Sequence, residues 1–119
     1  MMAAISGVGI DVVDIGRFQE SLDRTSALRR RLFTENESVM KISSLAARFA
    51  AKEALAKALN AKTATFNWQE VEVINELSGK PVFVFSGALA QRLAESIVHL
   101  SLSHDAGIAS AMVIVETNP

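Results

Sequence analysis

The stretch RFAAKEALAKAL, residues 48–59, constrains the fold more than any other segment of the chain. Its leucines and alanines recur with a helical period and no glycine or proline interrupts them, so the spacing predicts a helix over 48–59. At 100° per residue, Glu53 and Lys57 fall about 40° apart beside Phe49 and Ala50, while Arg48 and Lys52 share a stripe with Leu55 and Leu59. Alanines fill the remainder, leaving little of the helix suited to open water. Such a helix belongs inside a domain, yet it carries four charged residues.

The flanking segments supply what it packs against. ISGVGIDVV alternates with period two: Val8, Ile10 and Val12 point one way, and Gly7, Gly9, Asp11 and Val13 the other. Asp11 therefore lies on a strand face stripped of side chains. Asp14 caps a helix whose apolar face is Ile15, Phe18 and Leu22, and a second helical piece with Leu28 and Leu32 carries Arg29, Arg30 and Arg31. Thr34 and Glu37 have the spacing of a capping box, opening a short helix expected to run through Val39 and Ile42. The 48–59 helix stops near Asn60, which tolerates a left-handed C-cap. VEVINELSGKPVFVF predicts two strands joined by a turn at Ser78, Gly79, Lys80 and Pro81. Ser86 is expected to cap a helix bearing Leu89, Leu93 and Ile97, and HLSLSHD and IASAMVIV to form a hairpin turning at Ala106 and Gly107. This order gives an α+β class, an antiparallel sheet packed with helices. With 119 residues, half of them apolar, and neither linker nor internal repeat, residues 1–119 are expected to form one domain.

Net charge is −1, but nine of the twelve Lys and Arg residues lie between Arg17 and Lys57, and Glu70, Glu72 and Glu76 follow them. A positive face with few compensating carboxylates attracts acidic partners. Nucleic acid is disfavoured as that partner, because tyrosine is absent and the phenylalanines fall largely at apolar-period positions, leaving no stacking platform. The lack of cysteine removes a disulfide frame, a thiol nucleophile and a cysteine-based zinc site, and fits a cytoplasmic location. No apolar run approaches about 18 residues and MMAAISGVG lacks a basic n-region, so neither a membrane span nor a signal peptide is expected.

Several residues are open to two readings from spacing alone. Glu53 and Lys57 fit an i,i+4 surface pair worth about 0.2–0.5 kcal/mol. Asp11 fits a turn or capping residue, while the glycines beside it also leave backbone open to a ligand or metal. SGVGIDV is not a dinucleotide fingerprint, since Val12 stands at the third glycine and no βαβ unit follows. Ser103, His104 and Asp105 cannot form a hydrolase triad among themselves, because neighbours on an extended chain face opposite ways. His99 and His104, taken alone, read as structural hydrogen-bonding residues.

Taken together, the motifs resemble the holo-[acyl-carrier-protein] synthases, the small class of 4'-phosphopantetheinyl transferases. GVGIDVVDIGRF is similar to the family's N-terminal motif, FTENE to the next, RFAAKEALAKA to its signature helix, and SGKP and SLSHD to the last two. The five occur in order across residues 7–105, and KEALAKA together with GVGID carries the specificity. The resemblance implies the 4'-phosphopantetheinyl transferase fold. It also implies magnesium-dependent transfer of the phosphopantetheine arm of coenzyme A to a serine of an acyl carrier protein, or of the carrier domain of a fatty acid synthase. Adenosine 3',5'-bisphosphate leaves, and the reaction supports fatty acid biosynthesis.

By motif position the resemblance further implies Asp11 and Glu53 as magnesium ligands, with Lys57 one turn further on as a catalytic residue. It places Arg48, Lys57, Lys80, Pro81, Ser103 and His104 around coenzyme A, and Arg17 and Arg24 toward the carrier protein. It implies a homotrimer with active sites at subunit boundaries. Magnesium is usually held by one or two carboxylates, substrate phosphates and water, so Asp11 and Glu53 suffice. Either Glu53 or water on the metal accepts the serine proton. The chain departs from the family where Asn60, Ala61, Lys62 and Thr63 replace a common glycine, and where the segment between Glu37 and Arg48 is short. No coenzyme contact is carried over to residues 38–47. Two other readings stand beside this one: a non-catalytic module using the arginine-rich face for an acidic partner, and a different enzyme holding a phosphate-containing nucleotide through the same metal.

Overall fold

A computed structural model describes residues 3–63 and 65–118. In chain order the elements are β1 (Ala4–Asp14), α1 (Ile15–Arg24), α2 (Leu28–Leu32), α3 (Glu35–Ser38), α4 (Ile42–Ala58), a 3-10 turn (Trp68–Glu70), β2 (Val71–Asn75), β3 (Pro81–Phe85), α5 (Gly87–Arg92), β4 (Ser96–Asp105) and β5 (Ile108–Thr117). The class is α+β, as expected. Strands β1, β5 and β4 form an antiparallel sheet in that order, and β2 and β3 form a separate hairpin. The β4–β5 turn is the expected one: Ala106 and Gly107 both have positive φ, the two-residue geometry whose twist matches the flanking strands.

Alternation sorts the three-stranded sheet into two unlike faces. Gly9, Val113 and Leu100 share a row on the inner face, with Ala109, Ala111, Val115 and Val13 on neighbouring rows, and α4 lies across them. On the outer face, rows run Val8–Ile114–His99 and Ile10–Met112–Ser101. Val8, Ile10 and Val12 are 56–61% exposed there, so one chain leaves an apolar sheet face uncovered. The glycines of β1 receive the helix itself. A Cβ on Gly7 would collide with the Ala58 carbonyl, and one on Gly9 with that of Ala54. The bare backbone anticipated as an opening for a ligand is filled by α4 at these two positions.

Three local expectations are corrected. The capping box forms, with Thr34 N–H donating to Glu37 Oε1 and Glu37 N–H to Thr34 Oγ1. Its helix ends at Ser38, before the exposed Val39, and Ile42 instead opens α4. The long helix therefore starts six residues earlier than position 48, because Leu45, Ala46 and Ala47 extend its buried face upstream. Ser86 occupies the N-cap position of α5 without a side-chain bond; the Glu70 carboxylate accepts from Ala88 and Leu89 N–H instead. Ile97 belongs to β4 and faces outward.

The stripe shared by Arg48 and Lys52 faces the interior. Lys52 and Glu37 are completely buried and paired at 2.7 Å. Lys52 Nζ also donates to the carbonyls of Leu32 (2.9 Å) and Trp68 (3.1 Å), using all three of its protons. The Glu37 carboxylate additionally accepts from Val73 N–H at 2.8 Å, so this pair joins α2, α3, α4, the 3-10 turn and β2. Burial lowers the Lys52 pKa, and the charge and hydrogen bond of Glu37 oppose that shift. Removing one partner strands a charge in the core. Lys52→Met is therefore expected to lose about 3–5 kcal/mol in chemical denaturation. Combining it with Glu37→Gln should lose less than the sum of the two single changes, the signature of coupled sites.

Candidate active site

Three of the residues singled out in the sequence meet on the inner edge of the sheet. Asp11 follows Gly9 on the inner face of edge strand β1, in register with Ala111. Glu53 and Lys57 stand one turn apart on α4. Lys57 does not pair with Glu53; its ammonium donates to Asp11 Oδ1 at 3.0 Å and to the Ile10 carbonyl at 2.9 Å. The surface-pair reading of Glu53 and Lys57 is thereby replaced by a link between helix and strand. Glu53 is half-buried, and burial followed by the negative charge of Asp11 raises its pKa, with Lys57 acting in the opposite direction.

These side chains line a cleft of about 480 Å³ together with Arg17, Phe18 and Phe49. Glu53, Phe18 and Phe49 also line a larger neighbouring cavity of about 830 Å³. Its far wall comes from the loop after α4: Trp68 packs against Phe49 at 5.8 Å, and Phe66 meets Trp68 edge-on at 5.0 Å. Phe18 stacks on Phe49 at 4.9 Å between the two spaces. A carboxylate-rich cleft thus opens into an aromatic-walled groove. The aromatic wall was not read from the sequence as part of a site, although Phe49 precedes Glu53 by one turn on the same stripe.

The remaining candidates lie elsewhere in a single copy. Arg48 is buried, and Nε donates to the Val73 carbonyl while Nη2 donates to Asn75 Oδ1. Its guanidinium anchors the β2–β3 hairpin and lines neither cavity beside Glu53 in a single copy. Asn75 Nδ2 in turn donates to the Gly79 carbonyl, so Arg48 is tied to the turn that carries exposed Lys80 and ends at Pro81. Ser103 points to the outer face in the row of Val12 and Ser110, and His104 to the inner side in the row of Val13 and Ala109; both are exposed near the end of β4. His99 pairs with Glu116 at 2.7 Å across the outer face. Arg17 lines the cleft and Arg24 lies exposed in the last turn of α1.

The same arrangement of elements recurs in known proteins. A family model for the 4'-phosphopantetheinyl transferase superfamily matches residues 7–111. The holo-[acyl-carrier-protein] synthase of Streptomyces coelicolor is 52% identical over 122 residues, covering 95% of this chain and 98% of the relative. That of Leifsonia xyli subsp. xyli is 48% identical over 115 residues, covering 94% and 97%. The chain belongs to the holo-[acyl-carrier-protein] synthase family. The Bacillus anthracis member, solved in complex with CoA, is 34% identical and superposes with a TM-score of 0.80 over 98% of this chain and all of that one. The chain is accordingly an enzyme with the fold of the 4'-phosphopantetheinyl transferases, and among the described residues no helix is long and apolar enough to cross a membrane.

The donor set suits a hard divalent cation. Two carboxylates converge, and the ammonium of Lys57 already stands as a cation against one of them. Without further positive charge, the Asp11 carboxylate disfavours ionisation of Glu53. Since the Glu53 pKa is raised on folding, its ionisation lowers stability as pH rises above the ordinary value of 4.5 and through the folded-state value. Glu53→Gln should therefore raise the melting temperature near pH 7, and the gain should vanish below pH 4.5, where the carboxyl is protonated in both states. A melting series from pH 4 upward checks both limits; a loss of stability at neutral pH would contradict them.

Proposed function

We propose that residues 1–119 form one transferase domain that moves 4'-phosphopantetheine from coenzyme A to a serine of an acyl carrier protein or carrier domain, with magnesium, in the cytoplasmic synthesis of fatty acids. The convergence of Asp11, Glu53 and Lys57 across β1 and α4 carries this reading. Asp11 and Glu53 are the residues to hold magnesium, which when bound neutralises the diphosphate of the coenzyme. Glu53, or water held in the cleft, accepts the proton of the attacking serine. The serine oxygen forms a bond to the phosphorus that carries the pantetheine arm, and the bond from that phosphorus to the bridging oxygen breaks. Lys57, on a flexible stem at the cleft mouth, stabilises the charge gathering on the departing adenosine 3',5'-bisphosphate.

The cleft and groove suit a donor of this shape, a charged diphosphate continued by a long neutral arm. Arg17 at the cleft and Arg24 along α1 present positive charge to an acidic carrier protein. Lys80, Pro81, Ser103 and His104 lie outside the cleft of a single copy, and the outer sheet face is apolar and uncovered. Both facts favour association of copies, with a neighbour supplying the rest of the coenzyme site at the subunit boundary, and the family resemblance implies that the assembly is a homotrimer. A binding module would use the arginines equally well but gives no reason for two carboxylates and a lysine to meet.

Incubation with coenzyme A, magnesium and an apo carrier protein should add one phosphopantetheine to the carrier, read by mass spectrometry. An unmodified carrier across a panel of carrier proteins would favour the binding module. Asp11→Ala and Glu53→Ala should each lose about 10²-fold or more in turnover while retaining the far-ultraviolet circular dichroism of the parent. Arg17→Glu should raise KM for the carrier protein and leave KM for coenzyme A nearly unchanged; an equal rise in both would mean that one surface serves both substrates.

A further inference from the structure

We propose that the Lys57 ammonium is a resident competitor of the divalent cation: it occupies the Asp11 carboxylate, a metal must displace it, and the displaced lysine is then free for a phosphate. The proposal rests on the metal reading of Asp11 and Glu53 given above. Two of the three Lys57 protons are committed to Asp11 Oδ1 and the Ile10 carbonyl. Among the described residues, no other side chain donates to the Asp11 carboxylate. Asp11 is only 16% exposed and Lys57 is 53% exposed, so the carboxylate sits behind the ammonium. A cation arriving from solvent meets Lys57 at the mouth before it reaches Asp11.

Both cannot keep the same oxygen at low cost. The repulsion of an ammonium by a divalent ion is twice that between two ammoniums at the same distance. Lys57 has a flexible four-carbon stem and an exposed position, which let it withdraw without disturbing α4. Once withdrawn, it stands beside the cleft with its three donors free for a phosphate. Cation uptake and phosphate uptake are therefore coupled: the first frees the lysine, and the second keeps it from returning.

Direct binding of Mn2+ alone, measured from the electron paramagnetic resonance signal of the free ion, tests this without turnover. Lys57→Met should bind Mn2+ about fivefold or more tightly than the parent chain, the factor corresponding to loss of an exposed ion pair worth about 1 kcal/mol. Lys57→Arg, which keeps the charge, should show no such gain, and Asp11→Asn should bind more weakly than the parent. Equal or weaker Mn2+ binding by Lys57→Met, with Asp11→Asn still impaired, overturns the competition and leaves the metal site standing. Absence of Mn2+ binding in the parent chain and all three variants overturns the metal reading and the competition together.

Discussion

The close seating of α4 on β1 is the contact on which the rest of the molecule depends. Gly7 and Gly9 have no side chain because the carbonyls of Ala58 and Ala54 occupy that space. The helix meets the same demand from its side: Ala50, Ala51 and Ala54 are completely buried and Ala58 nearly so. A larger residue on either element would lift the helix from the strand. At this separation Glu53 and Lys57, on the flank of α4, share one cleft with Asp11 at the strand's next inward position.

Seating fixes distance, and the buried pair of Lys52 and Glu37 fixes rotation. Lys52 is held from three sides, by Leu32, Trp68 and Glu37, and Glu53 follows it by about 100° around the helix. The helix cannot turn its carboxylate out of the cleft without withdrawing Lys52 from all three acceptors. Arg48, one turn earlier on the same stripe, ties β2 to α4 through the Val73 carbonyl. A buried ion pair recovers little net stability after desolvation, so its worth here lies in holding one arrangement of five segments. The bond from Lys52 to the Trp68 carbonyl also secures the far wall of the groove beside Glu53.

The sequence disclosed what depends on local pattern. Alternation in GVGIDVV placed Asp11 inward, the Asp14 and Thr34 caps formed, Asn60 adopted positive φ, and the β4–β5 turn fell at Ala106 and Gly107. Family resemblance named Asp11, Glu53 and Lys57 together, but geometry between distant segments supplied their partners. Lys57 chose Asp11, 46 residues away, over Glu53 one turn away. Arg48 and Lys52 were legible as charges on an apolar stripe, yet their acceptors are mostly carbonyls of other elements, which no side-chain pattern reveals. Glu70 displaced Ser86 as the cap of α5 for the same reason, since its carboxylate arrives from a segment 18 residues upstream. No local pattern marks the aromatic wall, because Phe66 and Trp68 lie where the helical period has already ended.

The period-two rule that turns Asp11 inward has a second effect. Val8, Ile10 and Val12 are turned outward by the same backbone, onto the uncovered apolar face, and Val12 also lines the cleft that holds Asp11. Association of copies through that face would bury its exposed apolar side chains and bring a second chain to the rim of the site in one event. Ser103, in the same row as Val12, lies on that face too. A strand at the edge of the sheet is suited to both tasks, because its inner side chains reach past the helix to a substrate while its outer ones remain free to meet a neighbour. The placement of carboxylate and apolar side chains on opposite sides of one strand would make assembly and the proposed catalysis adjacent by construction, without any loop having to join them.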